Sequence, residues 1–157
     1  APFDRRFLVA IASNRLAMGA PGEASQILDA LGPGAGRIPS VARLRVAIAD
    51  ATGVQDLEAL LQRWRRADPL DPEPVRRLVN TRVASGRYAQ ARDLLPELKK
   101  RGHPTDGLEL AVLFALGDRE GAAAVAQRTQ DTELAARLRS EPSDPRPARQ
   151  ARPPRVR

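Results

Sequence analysis

Apolar residues recur along this chain at steps of three and four, the spacing that lines up side chains on one face of an α-helix. The pattern comes in short stretches interrupted by a glycine at near-constant intervals. These are Gly19, Gly53, Gly86 and Gly117, separated by 34, 33 and 31 residues. Each lies between two helical stretches, so the period predicts units of helix, turn and helix. Units of that kind cover by stacking the apolar face that none can bury alone, which is the logic of an α-solenoid.

The first helix is expected from about Asp4 to Met18, with Asp4 as its N-cap and Phe7, Leu8, Ile11 and Leu16 as its apolar stripe. Its partner runs from Glu23 to Leu31 through Ala24, Ile27 and Leu28. Gly32-Pro33-Gly34-Ala35-Gly36 reads as an inter-unit loop, since three glycines and a proline break a helix. In the second unit Ser40 caps a helix carrying Val41, Leu44, Ile48 and Ala51, and Asp56 caps one carrying Leu57, Leu60, Leu61 and Trp64. Pro74 suits the first turn of the third unit, which places Val75, Leu78, Val79 and Val83 before Gly86. Tyr88, Ala91, Leu94, Leu95 and Leu98 follow that glycine on one second helix. The fourth unit has Leu108, Leu110, Val112 and Leu113 before Gly117 and an Ala-rich helix from Gly121 to Arg128. Asp131 or Thr132 starts a last short helix suited to capping the array.

These units resemble tetratricopeptide repeats. The third carries the resemblance best: Leu78-Val79, then Gly86-Arg87-Tyr88-Ala89-Gln90-Ala91, then Leu94-Leu95, Leu98 and a closing Pro104. In that family a small residue after the turn lets the two helices cross closely; Ala24, Ala91 and Ala122 occupy the matching positions. Asp68-Pro69 is similar to the family's closing proline turn. Unit two departs with Glu58 in place of the small residue, and Ala59 beside it suggests a one-residue slip. The large aromatic usual in each first helix is missing from units two to four, and Gly107 and Glu109 weaken the first helix of unit four. The resemblance implies a right-handed all-α solenoid of about four hairpins with a C-terminal capping helix over residues 1–139.

Composition agrees with an all-α class. The apolar fraction of 42% comes mainly from Ala and Leu, and Val and Ile never alternate as they would in a strand. Without cysteine there is neither a disulfide nor a thiolate metal site. No apolar run approaches the ~18 residues of a membrane span. The chain begins at Ala1 with no initiator Met; signal cleavage leaves such a start, and so does a chain begun artificially. With the absent cysteine this favours a bacterial periplasm or cell-envelope setting over the cytoplasm.

The net charge is +7, of which +3 falls in residues 140–157, a Pro- and Arg-rich tail expected to be disordered. Lysine occurs only at Lys99 and Lys100. Arginine in the company of so much Ala, Gly and Pro reads as the codon bias of a GC-rich genome, which weakens the high charge as a sign of an anionic partner.

Little suggests catalysis. His103 is the only histidine and sits in a Gly-His-Pro turn with no second His or Cys to join it. Asp56, Glu58, Asp68, Asp71 and Glu73 fall at helix starts and in a turn, where capping explains them. The glycine-rich loop lacks the Lys-Ser/Thr of a phosphate loop. The expectation is a non-enzymatic scaffold, with no cofactor and no metal, that binds a protein or peptide partner as part of a multiprotein assembly.

The family resemblance puts the first helix of each unit along a groove, and so Arg43, Arg76 and Asn80 on the groove side. Arg76 and Asn80 are one helical turn apart and share a face. A guanidinium beside a carboxamide suits a carboxylate, although a solvated helix face is the plainer reading of the same residues. Trp64 is expected to pack between units. The alternative is an RNA- or anionic-surface-binding module working through repeat and tail arginines, which steep salt dependence would reveal. A third possibility is a structural subunit buried in a larger complex.

Overall fold

The computed structural model describes residues 4–53 and 56–140, and among them every regular element is helical. The expected tail lies almost wholly outside the described residues. The chain divides into two compact units, parting between Thr105 and Asp106.

In the first unit, α1 (Arg5–Ala17) starts where Asp4 Oδ1 accepts a hydrogen bond from the Arg6 N–H at 3.0 Å, as a capping carboxylate should. It ends in a left-handed turn at Gly19, φ 77°, closed by the Ala20 N–H donating to the Arg15 carbonyl at 2.9 Å. Then α2 (Pro21–Asp29) begins two residues before Glu23, because Pro21 needs no donor in a first helical turn. The two helices pack on one another through Ala12, Ala24 and Leu28, all fully buried. On α1 only Ala12 is fully buried; Val9 and Leu16 are partly buried against the same core, Leu8 and Ile11 are partly buried too, and Phe7 is 54% exposed. Two residues separate Phe7 from Val9, about 200° around a helix, so burying one exposes the other. The small Ala12 decides which, by admitting α2 closely.

The Gly32–Gly36 stretch is not an open loop. It winds into a 3-10 turn, Pro33–Arg37, whose Ala35 is buried in the same apolar cluster as Val41, Leu44 and Ile48. Next, α3 (Pro39–Thr52) starts at Pro39 without a capping bond from Ser40. Val41, Leu44 and Ile48 face the α1–α2 cluster, while Ala42, Val46 and Ala49 are buried elsewhere around the helix. Thus α3 touches α1 and α2 as well as α4 (Leu57–Ala67), and the expected inward Ala51 is left exposed.

Asp56 precedes α4, but its side chain accepts no capping hydrogen bond. The buried residues of α4 are Leu61 and Trp64, with Leu57 half-buried. After Gly19 and Gly86 the buried positions are the fifth and ninth residues, Ala24 and Leu28, then Ala91 and Leu95. After Gly53 the inward set comes one residue early, at Leu57 and Leu61. The slip is real but runs away from Ala59, because two leucines and a tryptophan outweigh one methyl in choosing the face.

Pro74 occupies the first turn of α5 (Glu73–Ala84) as expected, and Val75, Leu78 and Val79 are fully buried. After Gly86 the helix breaks into α6 (Tyr88–Arg92) and α7 (Leu95–Lys100). Pro96 causes the break: it has no N–H for the Arg92 carbonyl, and its ring disfavours a helix running through.

The second unit contains α8 (Asp106–Ala115), α9 (Arg119–Arg128) and α10 (Thr132–Ser140). Gly107 and Glu109 do not prevent α8. Asp118 Oδ1 accepts from the Gly121 N–H at 2.9 Å, which starts α9 two residues before Gly121. A side chain at 121 would collide with that cap, its Cβ lying 2.7 Å from Asp118 Oδ2. The core is built from small groups, Ala122, Ala123, Val125, Ala126 and Ala135, closed by Leu113 and Leu138. Gln130 takes a left-handed turn at φ 65°, and Asp131, not Thr132, caps α10 by accepting from the Leu134 N–H at 3.0 Å.

All four periodic glycines have φ between 70° and 77°. At Gly86 a side chain would meet open space, so only the backbone conformation resists it. Gly86→Ala is therefore expected to cost about 1–2 kcal/mol, whereas Gly34→Ala, in open space without a positive φ, should leave stability nearly unchanged. Urea midpoints of the two variants decide the point, and equal midpoints would contradict it.

Candidate functional site

Where α1 and α3 lie side by side they leave an open groove of about 450 Å³. Val9, Ser13 and Leu16 line it from α1, and Arg43, Leu44 and Ala47 from α3. Its floor is apolar because Val9, Leu16 and Leu44 belong to the α1–α3 core and only partly fill the space between the helices.

Arg43 is therefore a groove residue, and it is not idle. Its guanidinium lies over the Trp64 ring, 5.6 Å from the centroid, and pairs with Asp71 Oδ2 at 3.3 Å and Asp68 Oδ2 at 3.6 Å. Trp64 is buried at 5% exposure, as its expected packing role requires, and Arg43 lies over its ring. Its indole N–H has no hydrogen-bond partner among the described residues.

Arg76 and Asn80 stand on successive turns of α5, and Asn80 is exposed. Arg76, however, turns back along its helix to grip Glu73 with both arms, Nε to Oε2 at 2.8 Å and Nη2 to Oε1 at 2.6 Å. That hydrogen bonding holds the Glu73 carboxyl below its ordinary range, against the opposing effect of partial burial, and raises the Arg76 value in turn. Asp71 Oδ1 accepts from the Glu73 N–H at 2.9 Å. The α4–α5 turn thus ties Arg43 and Arg76 into one chain of contacts without placing the two guanidinium groups on a common ligand position. A carboxylate arriving at Arg76 must displace Glu73.

A cation not singled out by the sequence as a site residue is densely bonded. Arg101, its side chain 9% exposed, donates to the Asp68 carbonyl at 3.0 Å and the Asp71 carbonyl at 2.7 Å, and pairs with Glu97. Arg65 grips the same Glu97 from α4. The Arg65 hydrogen bonds do most to hold the Glu97 carboxyl below its ordinary pKa, burial opposes them, and Arg101 adds to the lowering. Glu58 is lowered likewise, first by Arg87 and with help from Arg82. Arg77 grips Asp50 with both arms at 2.8 and 2.6 Å. One signal in the sequence does foreshadow these pairs: opposite charges stand 27 to 32 residues apart, close to one turn-to-turn period. His103 sits in its turn, Nδ1 2.7 Å from the Pro104 carbonyl oxygen. Among the described residues no helix is long and apolar enough to cross a membrane. No group of three or more His, Cys, Asp or Glu among them is arranged to hold a metal ion.

No protein-family model matches this chain, and comparison with curated proteins and with solved structures finds no match either.

The three lowered carboxylates bind protons more weakly folded than unfolded. Their contribution to stability is complete above the ordinary value of 4.5 and is lost as pH falls through the lower folded values. Glu97→Gln should cost on the order of 2 kcal/mol at pH 7, partial solvent screening holding it below the value for a fully buried pair. It should also flatten the fall in urea midpoint between pH 5 and pH 3. A variant with the wild-type acid limb would show that Glu97 carries none of it.

Proposed function

We propose that this chain is a tetratricopeptide-like interaction scaffold, a right-handed solenoid of helical hairpins that holds a segment of a partner protein in the groove between its first helices. The observation that carries the reading is that groove: an apolar trough between α1 and α3 with an arginine at its edge. Consecutive helical pairing and the fully buried Ala24, Ala91 and Ala122 at the expected helix crossings support the repeat reading.

The chemistry of the trough specifies the occupant. Val9, Leu16 and Leu44 offer apolar contact, Ser13 and Ser40 offer hydroxyls, and Arg43 offers a cation already balanced by Asp68 and Asp71. An extended or helical segment with small apolar side chains fits, with an acidic group exchanging into the Arg43 pairs at one end. Arg76 and Asn80 are not among the residues lining this trough, and Arg76 contributes only after release from Glu73.

Filling the trough tests this. Ala47→Arg should abolish capture of the protein partner recovered from native cells at physiological salt, while Ala89→Arg, at an exposed position of α6, should leave it intact. Arg43→Gln should weaken the same complex by about tenfold or less, since its present pairs return part of the loss. A partner retained by Ala47→Arg would refute the groove assignment, and recovery of nucleic acid alone would favour polyanion binding instead.

A further inference from the structure

Four arginines converge on a second hollow of the first unit, where the 3-10 turn meets α3 and α4. Arg37 closes the turn, Arg45 stands on α3, and Arg63 and Arg66 stand one helical turn apart on α4. The space is about 770 Å³, with Gly32 and Gly36 contributing bare backbone to its wall. Arg45 and Arg43 are two residues apart, about 200° around α3, so this hollow and the α1–α3 groove use different sides of that helix.

In the first unit, Arg15, Arg43, Arg65, Arg76, Arg77, Arg82, Arg87 and Arg101 are each matched to a carboxylate. Within the hollow only Arg45 has one, Asp29 at 3.0 Å. Arg37, Arg63 and Arg66 form no ion pair among the described residues. Arg5, Arg6 and Arg92 of the first unit also form no ion pair among the described residues, but in this hollow several such arginines line one space. Their gathering is unfavourable by mutual repulsion and leaves a field that draws anions. Complementing the α4 dipole accounts for Arg63 and Arg66 being near a C-terminal end; it does not account for Arg37 and Arg45 sharing their space.

We infer that the hollow binds a small anion carrying several phosphate groups. Planar guanidinium forks match phosphate oxygens in pairs. Three uncompensated cations call for more charge than a single carboxylate brings, and the volume exceeds that of one phosphate. The space beside the turn is open at Gly32 and Gly36, where a Cβ would meet nothing within 4 Å. The same headgroup chemistry can be free in solution or displayed on a membrane.

Calorimetric titration of the full chain with tripolyphosphate tests the site. Arg63→Gln/Arg66→Gln should weaken binding by at least about tenfold, from the loss of charge-assisted bonds. Arg5→Gln/Arg92→Gln removes the same charge from exposed positions outside the hollow and should change it by no more than about twofold. If the α4 double variant is not folded by circular dichroism, Arg37→Gln gives the same test from the turn. Vesicles of phosphatidylglycerol and a single-stranded oligonucleotide are measured in parallel. Arginine-dependent binding of tripolyphosphate assigns the site to a free ligand; added binding to vesicles with the same dependence extends it to headgroups. No binding of tripolyphosphate, equal weakening by the control pair, or binding only to vesicles or the oligonucleotide would overturn the inference.

Discussion

The left-handed turn that ends a helix is the constraint on which the rest of the first unit depends. At Gly19 and Gly86 the chain reverses within two residues, because the backbone takes a conformation that a β-carbon resists and the freed carbonyls are satisfied by the turn itself. The reversal brings the following helix back along the preceding one at a fixed phase. Five residues on, that phase puts Ala24 or Ala91 at the crossing, where a larger side chain would force the helices apart. Turn and small residue thus form one device. The inward face of α1, the burial of α3 on two sides and the groove beside Leu44 all follow from how closely the helices can approach.

A second layer of order is ionic. Arg65 and Glu97, Arg77 and Asp50, and Arg87 and Glu58 join residues about one turn-to-turn period apart, and Arg101 seals the α4–α5 turn through its carbonyls. Partly exposed pairs of this sort contribute modestly one by one, and more where several share partners around a desolvated arginine. They also settle what the arginines are available for. A cation held by both arms of a carboxylate recognises a ligand only by exchange, which lowers affinity and sharpens selection by geometry. Arg76 is in that position, and Arg43 is in part.

Charge in the first unit is therefore partitioned. Around the α4–α5 turn, positive and negative groups are matched nearly one to one, and the adjoining groove is governed by shape and apolar contact. By the 3-10 turn the matching stops, and the same residue type becomes a source of unbalanced field. One arginine-rich composition thus presents paired and unpaired cations in different places, and the difference between them lies in where the carboxylates are.

How much of this was legible in the sequence depends on the range over which each preference acts. Helical spacing, the periodic glycines, the Asp4 cap, Pro74 in a first turn and the small residues at the crossings are decided within a few residues, and the sequence by itself determined them. Pro96 was equally local, and its break in the helix after Gly86 could have been read from the missing N–H alone. Other features needed the tertiary structure. Phe7 lost the inward face to Val9 because α2 arrives over Ala12, and the stretch after Gly32 coiled because Ala35 had a core to enter. Arg76 met Glu73 instead of solvent, and Arg37, Arg45, Arg63 and Arg66 met each other across three elements. A side chain's partners some thirty residues away depend on the approach and rotation of packed helices, which the sum of buried surface and close contact decides and no local pattern encodes.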